Sequence, residues 1–224
     1  MRAGLGALFR EIGLLRGSLV TLGVGWRMLR GAPFRALKGA SRDALEPSEG
    51  HRARERENRA QVGSVINIYQ ALRGHFSEEE AIRVTGAVVT AGGRAFLKRT
   101  LRELNDTDAL LAMSEAERSQ YLKRLLSPIP NALFELSIDD QGQVHYTVTS
   151  CRFAELCKLL GYPELGPLFC AVDDHFFRED TPHIHLERST TLARGGDHCP
   201  FVLSLAPRDP QELVQIEPER PRAQ

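Results

Sequence analysis

The stretch CRFAELCKLLGYPELGPLFCAVDDHFF, Cys151–Phe177, decides the fold, because within it one helix stops, a second starts, and reactive side chains fall on one edge. Phe153, Leu156, Cys157 and Leu160 recur at i, i+3, i+4 and i+7, which predicts a helix capped by Ser150 and stopped by Gly161 and Pro163. Cys157 then belongs to the core. A second helix is predicted from Pro163 or Pro167 to about Phe177, since either proline suits a first helical position. Leu165, Leu168, Phe169, Val172 and Phe176 make its apolar stripe. Gly166, Cys170, Asp173, Asp174 and Phe177 lie about a third of a turn from that stripe, so a thiol and two carboxylates share one helix edge.

Downstream the period changes to two. After a turn at Asp180, Thr181 and Pro182, His183, His185, Glu187, Ser189 and Thr191 face one way, and Ile184, Leu186, Arg188, Thr190 and Leu192 the other. Arg188 lands among apolar neighbours, where a guanidinium is costly unless a carboxylate of the protein or of a ligand meets it. Gly195, Gly196 and Asp197 predict a hairpin turn, and the returning strand sets Cys199, Phe201, Leu203 and Leu205 on one face. Upstream of Cys151 another hairpin is predicted: Phe134, Leu136 and Ile138, a turn at DDQG (139–142), then Val144, Tyr146 and Val148.

Residues 59–126 read as helical. Val62, Val65, Ile66, Tyr69 and Leu72 form one stripe, and Ser77 with Glu80 reads as a capping box opening the next helix. Gly92 and Gly93 are expected to break that helix from one over Arg94–Leu104, and Ser114 with Glu117 caps a last helix ending near Leu126. The fold class that follows is α+β: an N-terminal helical layer packed on a small antiparallel sheet of two hairpins, with two helices inserted between them.

The ordered set Cys151, Phe153, Ala154, Gly161, Glu164, Leu165, Phe169, Cys170, Asp173, Arg188, Thr191, Leu192, Gly196, Cys199 and Phe201 resembles the C-terminal signature of the L-2-amino-thiazoline-4-carboxylic acid hydrolase family. The resemblance implies hydrolytic opening of a small cyclic amidine carboxylate at a non-peptide carbon–nitrogen bond, toward a carbamoyl-cysteine, without a cofactor. It places Cys170, or a water that Cys170 positions, at the electrophilic carbon, and Asp173 or Asp174 as proton acceptor or amidinium partner. Arg188, Thr191 and Cys199 are the expected substrate-binding residues. The ending of the chain is also similar to the 4-vinyl reductase domains, small-molecule-binding modules that often carry a structural zinc. Thr190 and Thr191 stand where those zinc ligands include a cysteine, so no metal is expected.

Carboxylates beside Cys170 raise a thiol pKa, so a nucleophilic Cys170 needs help from Arg188 or a histidine. His183 and His185 share a strand face and are able to bind a metal with Cys199, Cys170 or Asp174; the favoured alternative is a surface pair next to Glu187. Three functional classes stay open: the hydrolase, a non-catalytic binding module, and a protein whose basic N-terminal helix is its working surface.

Composition narrows the rest. The 224 residues are 42% hydrophobic and 26% charged with a formal net charge of zero, a globular balance that argues against a nucleic-acid binder. Four cysteines without a Cys-x-x-Cys pair or a secretory signal read as cytoplasmic thiols. Residues 1–42 hold eight Lys and Arg (Arg2, Arg10, Arg16, Arg27, Arg30, Arg35, Lys38 and Arg42) against one acid, Glu11. Apolar residues at helical spacing between them, among them Leu8, Leu15, Leu19, Leu22, Trp26 and Leu29, make a basic amphipathic stretch. Such a stretch either lies peripherally on an anionic membrane or packs on the domain. The organisation expected is a basic segment and linker over 1–58, with a solvated charge run at His51–Arg59, one domain over 59–206, and a disordered tail over 207–224. The partner expected is a small-molecule substrate, and the sequence leaves the oligomeric state open.

Overall fold

The computed structural model describes residues 2–29, 46–181 and 183–206; residues 43–45 of the expected linker, Pro182 of the expected turn and the tail 207–224 lie outside the described residues, as do the side chains of Leu15, Trp26 and Leu29. The fold is α+β. Its helices are α1 (Arg2–Ile12), α2 (Leu14–Leu29), α3 (Glu49–Arg52), α4 (Glu55–Arg73), α5 (Glu78–Thr100), α6 (Thr107–Ala112), α7 (Glu115–Leu126), α8 (Arg152–Leu159) and α9 (Gly166–Glu179). Its strands are β1 (Ala132–Ile138), β2 (Val144–Cys151), β3 (Ile184–Glu187) and β4 (Cys199–Leu205), in one antiparallel sheet of order β1-β2-β4-β3.

The inserted pair α8–α9 lies between β2 and β3 in the chain and is the centre of the packing. It meets α4 and α5 on one side and β3 on the other, while α1 lies along α5 and α2 along α4. The core runs through every layer: Val62, Ile66 and Leu72 of α4, Leu156 and Cys157 of α8, Leu165 and Phe176 around α9, and Val144 of β2 are each within 2% of fully buried. The α4 stripe is as predicted, because Val62, Val65, Ile66, Tyr69 and Leu72 are all buried. Ser114 and Glu117 close a reciprocal capping box at the start of α7, and Ser77 Oγ accepts from the Glu80 N–H at the start of α5.

The structure corrects the sequence reading at four places. Gly92 and Gly93 do not break α5, which continues through both to Thr100. A Cβ on Gly93 would stand 2.6 Å from Cγ1 of Val172, so this glycine is there for the close approach of α9. The helix α8 is capped by Cys151 rather than Ser150, since β2 keeps its ladder through Cys151. The second hairpin loses most of its predicted length: β3 ends at Glu187. In the register of β3 on β4 the next outward partner of Ser189 would be Pro200, which has no N–H to give, and the chain leaves the sheet. A 3-10 turn at Leu192–Arg194 follows, and Gly195 takes the left-handed conformation (φ 89°) that ends it.

The fourth correction is to part of the charge run, of which Arg52, Ala53, Arg54, Arg56 and Glu57 are exposed as expected. His51 and Asn58 are buried, and Glu55 reaches the fully buried Arg152, whose guanidinium donates to both Glu55 oxygens at 2.8 Å and to Glu155 at 2.7 Å. His51 Nε2 lies 2.9 Å from Ser150 Oγ, and Asn58 Nδ2 donates to the Pro130 carbonyl at 3.0 Å. Apolar periodicity was silent here because the burial is polar and its partners are up to 99 residues away in sequence.

Candidate functional site

Arg188, one residue past the end of β3, turns inward, and only 5% of its side chain is exposed. Two adjacent acids of α9 receive it: Nη1 donates to Asp173 Oδ2 at 3.1 Å and Nη2 to Asp174 Oδ1 at 2.6 Å. Nη2 also donates to the Cys170 carbonyl at 2.9 Å, and the guanidinium carbon sits 4.8 Å from the centre of the Phe201 ring. One fork thus ties the middle of α9 to the edge of the sheet. The carboxylate demanded by an inward arginine is supplied by the protein, twice.

The two acids differ in what surrounds them. Asp173 keeps 30% of its side chain accessible and Asp174 keeps 44%. Burial raises the Asp173 pKa, Arg188 opposes that, and the neighbouring Asp174 charge adds to it; the result is a carboxyl pushed up to about 6. The accessible part of Asp173 lets solvent relieve some of this penalty.

Three of the four thiols border the same seam. Cys170 is pushed up to about 12, chiefly by burial and next by Asp173. The Thr191 hydroxyl is close enough to favour its thiolate, yet that hydroxyl makes no hydrogen bond of regular geometry to any nitrogen or oxygen. Cys199 on β4 accepts from the Leu192 N–H at 3.2 Å and is raised by burial. Cys151, at the junction of β2 and α8, is also raised by burial; the Ala154 and Phe153 N–H groups at the open end of α8 and the Asn131 amide, 3.5 Å away, work against that. Cys157, fully buried on α8, is a core residue as predicted. Gly196 permits the fit of the turn above the thiols, because a Cβ there would lie 2.4 Å from the Thr190 hydroxyl.

Cys170, Asp173, Asp174, Arg188, Thr191 and Cys199, the residues singled out from sequence, therefore come together where α9 meets the sheet edge. His183 and His185 do not join them as a cluster: His185 is 74% exposed and stands 3.7 Å from Glu187. Among the described residues no group of three or more His, Cys, Asp or Glu side chains is disposed to hold a metal ion. Sequence reasoning passed over Tyr146 and Asn131. Tyr146, buried on β2, packs edge-on against Phe201 at 5.3 Å and so supports the ring under Arg188; its even position on the buried face of β2 was the available signal. Two surface clefts, of about 320 Å³ beside Tyr121 and about 230 Å³ beside Phe76, are lined by other residues.

An α+β domain with thiols and an arginine-bridged acid pair at the seam between inserted helices and sheet is thus the class of protein in hand. The family model of L-2-amino-thiazoline-4-carboxylic acid hydrolase matches residues 54–203, about two thirds of the chain, and the chain belongs to that family. The match spans Arg152, Arg188 and the whole thiol and carboxylate cluster, and it leaves α1 and α2 outside. No curated protein and no solved structure is significantly similar to the chain.

Proposed function

We propose that the protein hydrolyses a small cyclic amidine carboxylate of the 2-amino-thiazoline-4-carboxylate type, using the seam around Arg188. The observation that carries this reading is the charge count of the seam: one guanidinium faces two carboxylates, leaving one negative charge unmatched at a half-accessible position. A cyclic amidine is protonated at neutral pH, so its amidinium supplies the missing cation. The substrate's own carboxylate then takes the place of Asp174 on Arg188, and Asp174, the more accessible acid, turns to the amidinium. Family membership supports the same substrate class.

The reaction follows from these placements. Water adds to the amidine carbon and gives its proton to Asp173, whose raised pKa suits a base working near neutrality. The ring carbon–nitrogen bond then breaks, and the departing nitrogen takes the proton back from Asp173. The hydroxyl proton of the intermediate passes to the departing amine as the carbonyl forms, so the product is a carbamoyl group on sulfur with a free ammonium group, and atoms and charge balance. Water is preferred to Cys170 as nucleophile because a thiol with a pKa of about 12 is ionised to only about one part in 10⁵ at pH 7. Cys170, Thr191 and Cys199 form the wall against which the ring lies.

The test is turnover of the thiazoline carboxylate by purified protein and its variants. Asp173→Asn should lower kcat about 100-fold or more with KM nearly kept, whereas Arg188→Lys should mainly raise KM. Cys170→Ser should cost less than about tenfold, since its role is spatial. No turnover by the parent, or a collapse of kcat in Cys170→Ser alone, would remove this reading.

A further inference from the structure

The described residues with large apolar side chains left strongly exposed are all on one helix: Leu14 at 75%, Leu19 at 57% and Leu22 at 71%, on α2. At about 100° per residue these three lie within an arc of about 140° on the side of α2 away from the domain. Val20, 1% exposed, and Gly17 occupy the other side, and α2 packs through it on α4. A cluster of three leucines facing outward from an otherwise ordinary surface marks a place for a partner.

Charge says which partner. Residues 1–42 carry eight Lys and Arg and one acid in a chain whose net charge is zero, so the remainder is acidic. The single acid, Glu11, is already held by Arg83 at 2.5 Å. Arg10, near the end of α1, and Arg16, in the first turn of α2, are exposed beside the leucines. Arg16 also borders a cleft of about 230 Å³ with Leu19, His75 and Phe76, and its guanidinium carbon lies 5.4 Å from the centre of the Phe76 ring. Among the described residues no helix is long and apolar enough to cross a membrane.

We infer that α2 lies on an anionic lipid bilayer, with Leu14, Leu19 and Leu22 entering the interface and Arg10 and Arg16 meeting the headgroup charge. Leucines alone would serve any apolar partner, and arginines alone any anion; their combination on one helix at the edge of an acidic remainder fits a negatively charged membrane surface. Docked this way, the protein also turns its net-acidic domain toward solvent.

The experiment is co-sedimentation of the full chain with vesicles of phosphatidylcholine alone or with about 30% phosphatidylserine. Binding is expected only to the anionic vesicles, and it should fall severalfold as salt rises from about 50 to 300 mM. Leu22→Asp and the double variant Leu14→Ser, Leu19→Ser should each weaken it at least tenfold while melting like the parent, because these side chains contact solvent in the free protein. Arg16→Ala should weaken it less and reduce the salt dependence. No binding to anionic vesicles, equal binding to neutral ones, or full binding by Leu22→Asp would overturn the inference. So would sedimentation showing that the parent self-associates and that Leu22→Asp makes it monomeric without changing vesicle binding, since a second copy would then own the face.

Discussion

Arg152 and Arg188 are each buried against a pair of acids, and they are buried for different reasons. Arg152, with no exposed side-chain surface, meets Glu55 from α4 and Glu155 from its own helix, and Arg59 shares Glu55 at 2.5 Å. Two cations thus meet two acids. Burial by itself would raise the Glu55 pKa, but hydrogen bonds from Arg152 and Arg59 outweigh it, and that carboxyl sits below its usual range. Arg188, one cation between two acids, leaves Asp173 pushed up to about 6. A balanced buried cluster is quiet; an acid-rich one keeps a carboxyl poised to exchange a proton near neutral pH. The same residue type therefore ties Glu55 of α4 to α8 in one place and gathers the acids of the candidate site in the other.

The sharpest break of this contrast is removal of each arginine. Arg152→Ala empties the space of a fully buried side chain and leaves the largely buried Glu55 with Arg59 alone, and it should cost about 3–5 kcal/mol in urea unfolding at pH 7. Arg188→Ala should cost less, about 1–2 kcal/mol, because Asp173 answers by binding a proton and Asp174 by turning to water. Equal losses, or a larger loss at Arg188, would mean that both arginines are structural.

A smaller effect tests how the site is held in place. Gly93→Ala should lose about 1–3 kcal/mol, since the new methyl would meet Val172 of α9, one residue before Asp173. Gly92→Ala, next to it in the same helix and with nothing within 4 Å of its Cβ position, should be neutral or gain up to about 1 kcal/mol. A common response of the two variants would show that α5 and α9 are not in the close contact that positions the acids.

These glycines also mark what the sequence could and could not say. The elements with strong periodicity and local caps were legible: the α4 stripe, the Ser114–Glu117 box, the first hairpin and the phase of α9 that sets Cys170, Asp173 and Asp174 on one edge. Arg188 was legible as an inward cation in need of acids. What escaped was whatever depends on a partner distant in the chain. Gly92-Gly93 looks like a helix break until Val172, 79 positions on, supplies the reason for a missing side chain. His51–Arg59 looks like solvated charge until Arg152 arrives, although Arg152 lies four residues before Leu156 and so shares the buried phase of α8. The second hairpin shortened because Pro200 acts across the sheet rather than along the chain.

The finest comparison between the two arginine sites is their pH dependence, where they should pull in opposite directions. Glu55 has a folded pKa below its ordinary value, so its contribution to stability is present above about pH 4.5 and is lost as pH falls through the lowered folded value. Asp173 has a folded pKa of about 6, above its ordinary 3.8. Its contribution is complete when both folded and unfolded chains are protonated, below pH 3.8, and is lost as pH rises toward 6, because the unfolded chain gives up its proton first. Asp173→Asn removes that term and leaves Glu55 alone. The difference in Tm between this variant and the parent should therefore move in the variant's favour from pH 4.5 to pH 7.5, whatever constant offset the lost hydrogen bond to Arg188 introduces. The shift should be the smallest of the effects considered, because 30% of Asp173 remains in contact with water. A difference that stays flat with pH would place the Asp173 carboxyl back in the ordinary range and remove the ground for assigning it the proton transfer, and a difference moving the other way would make it a second Glu55.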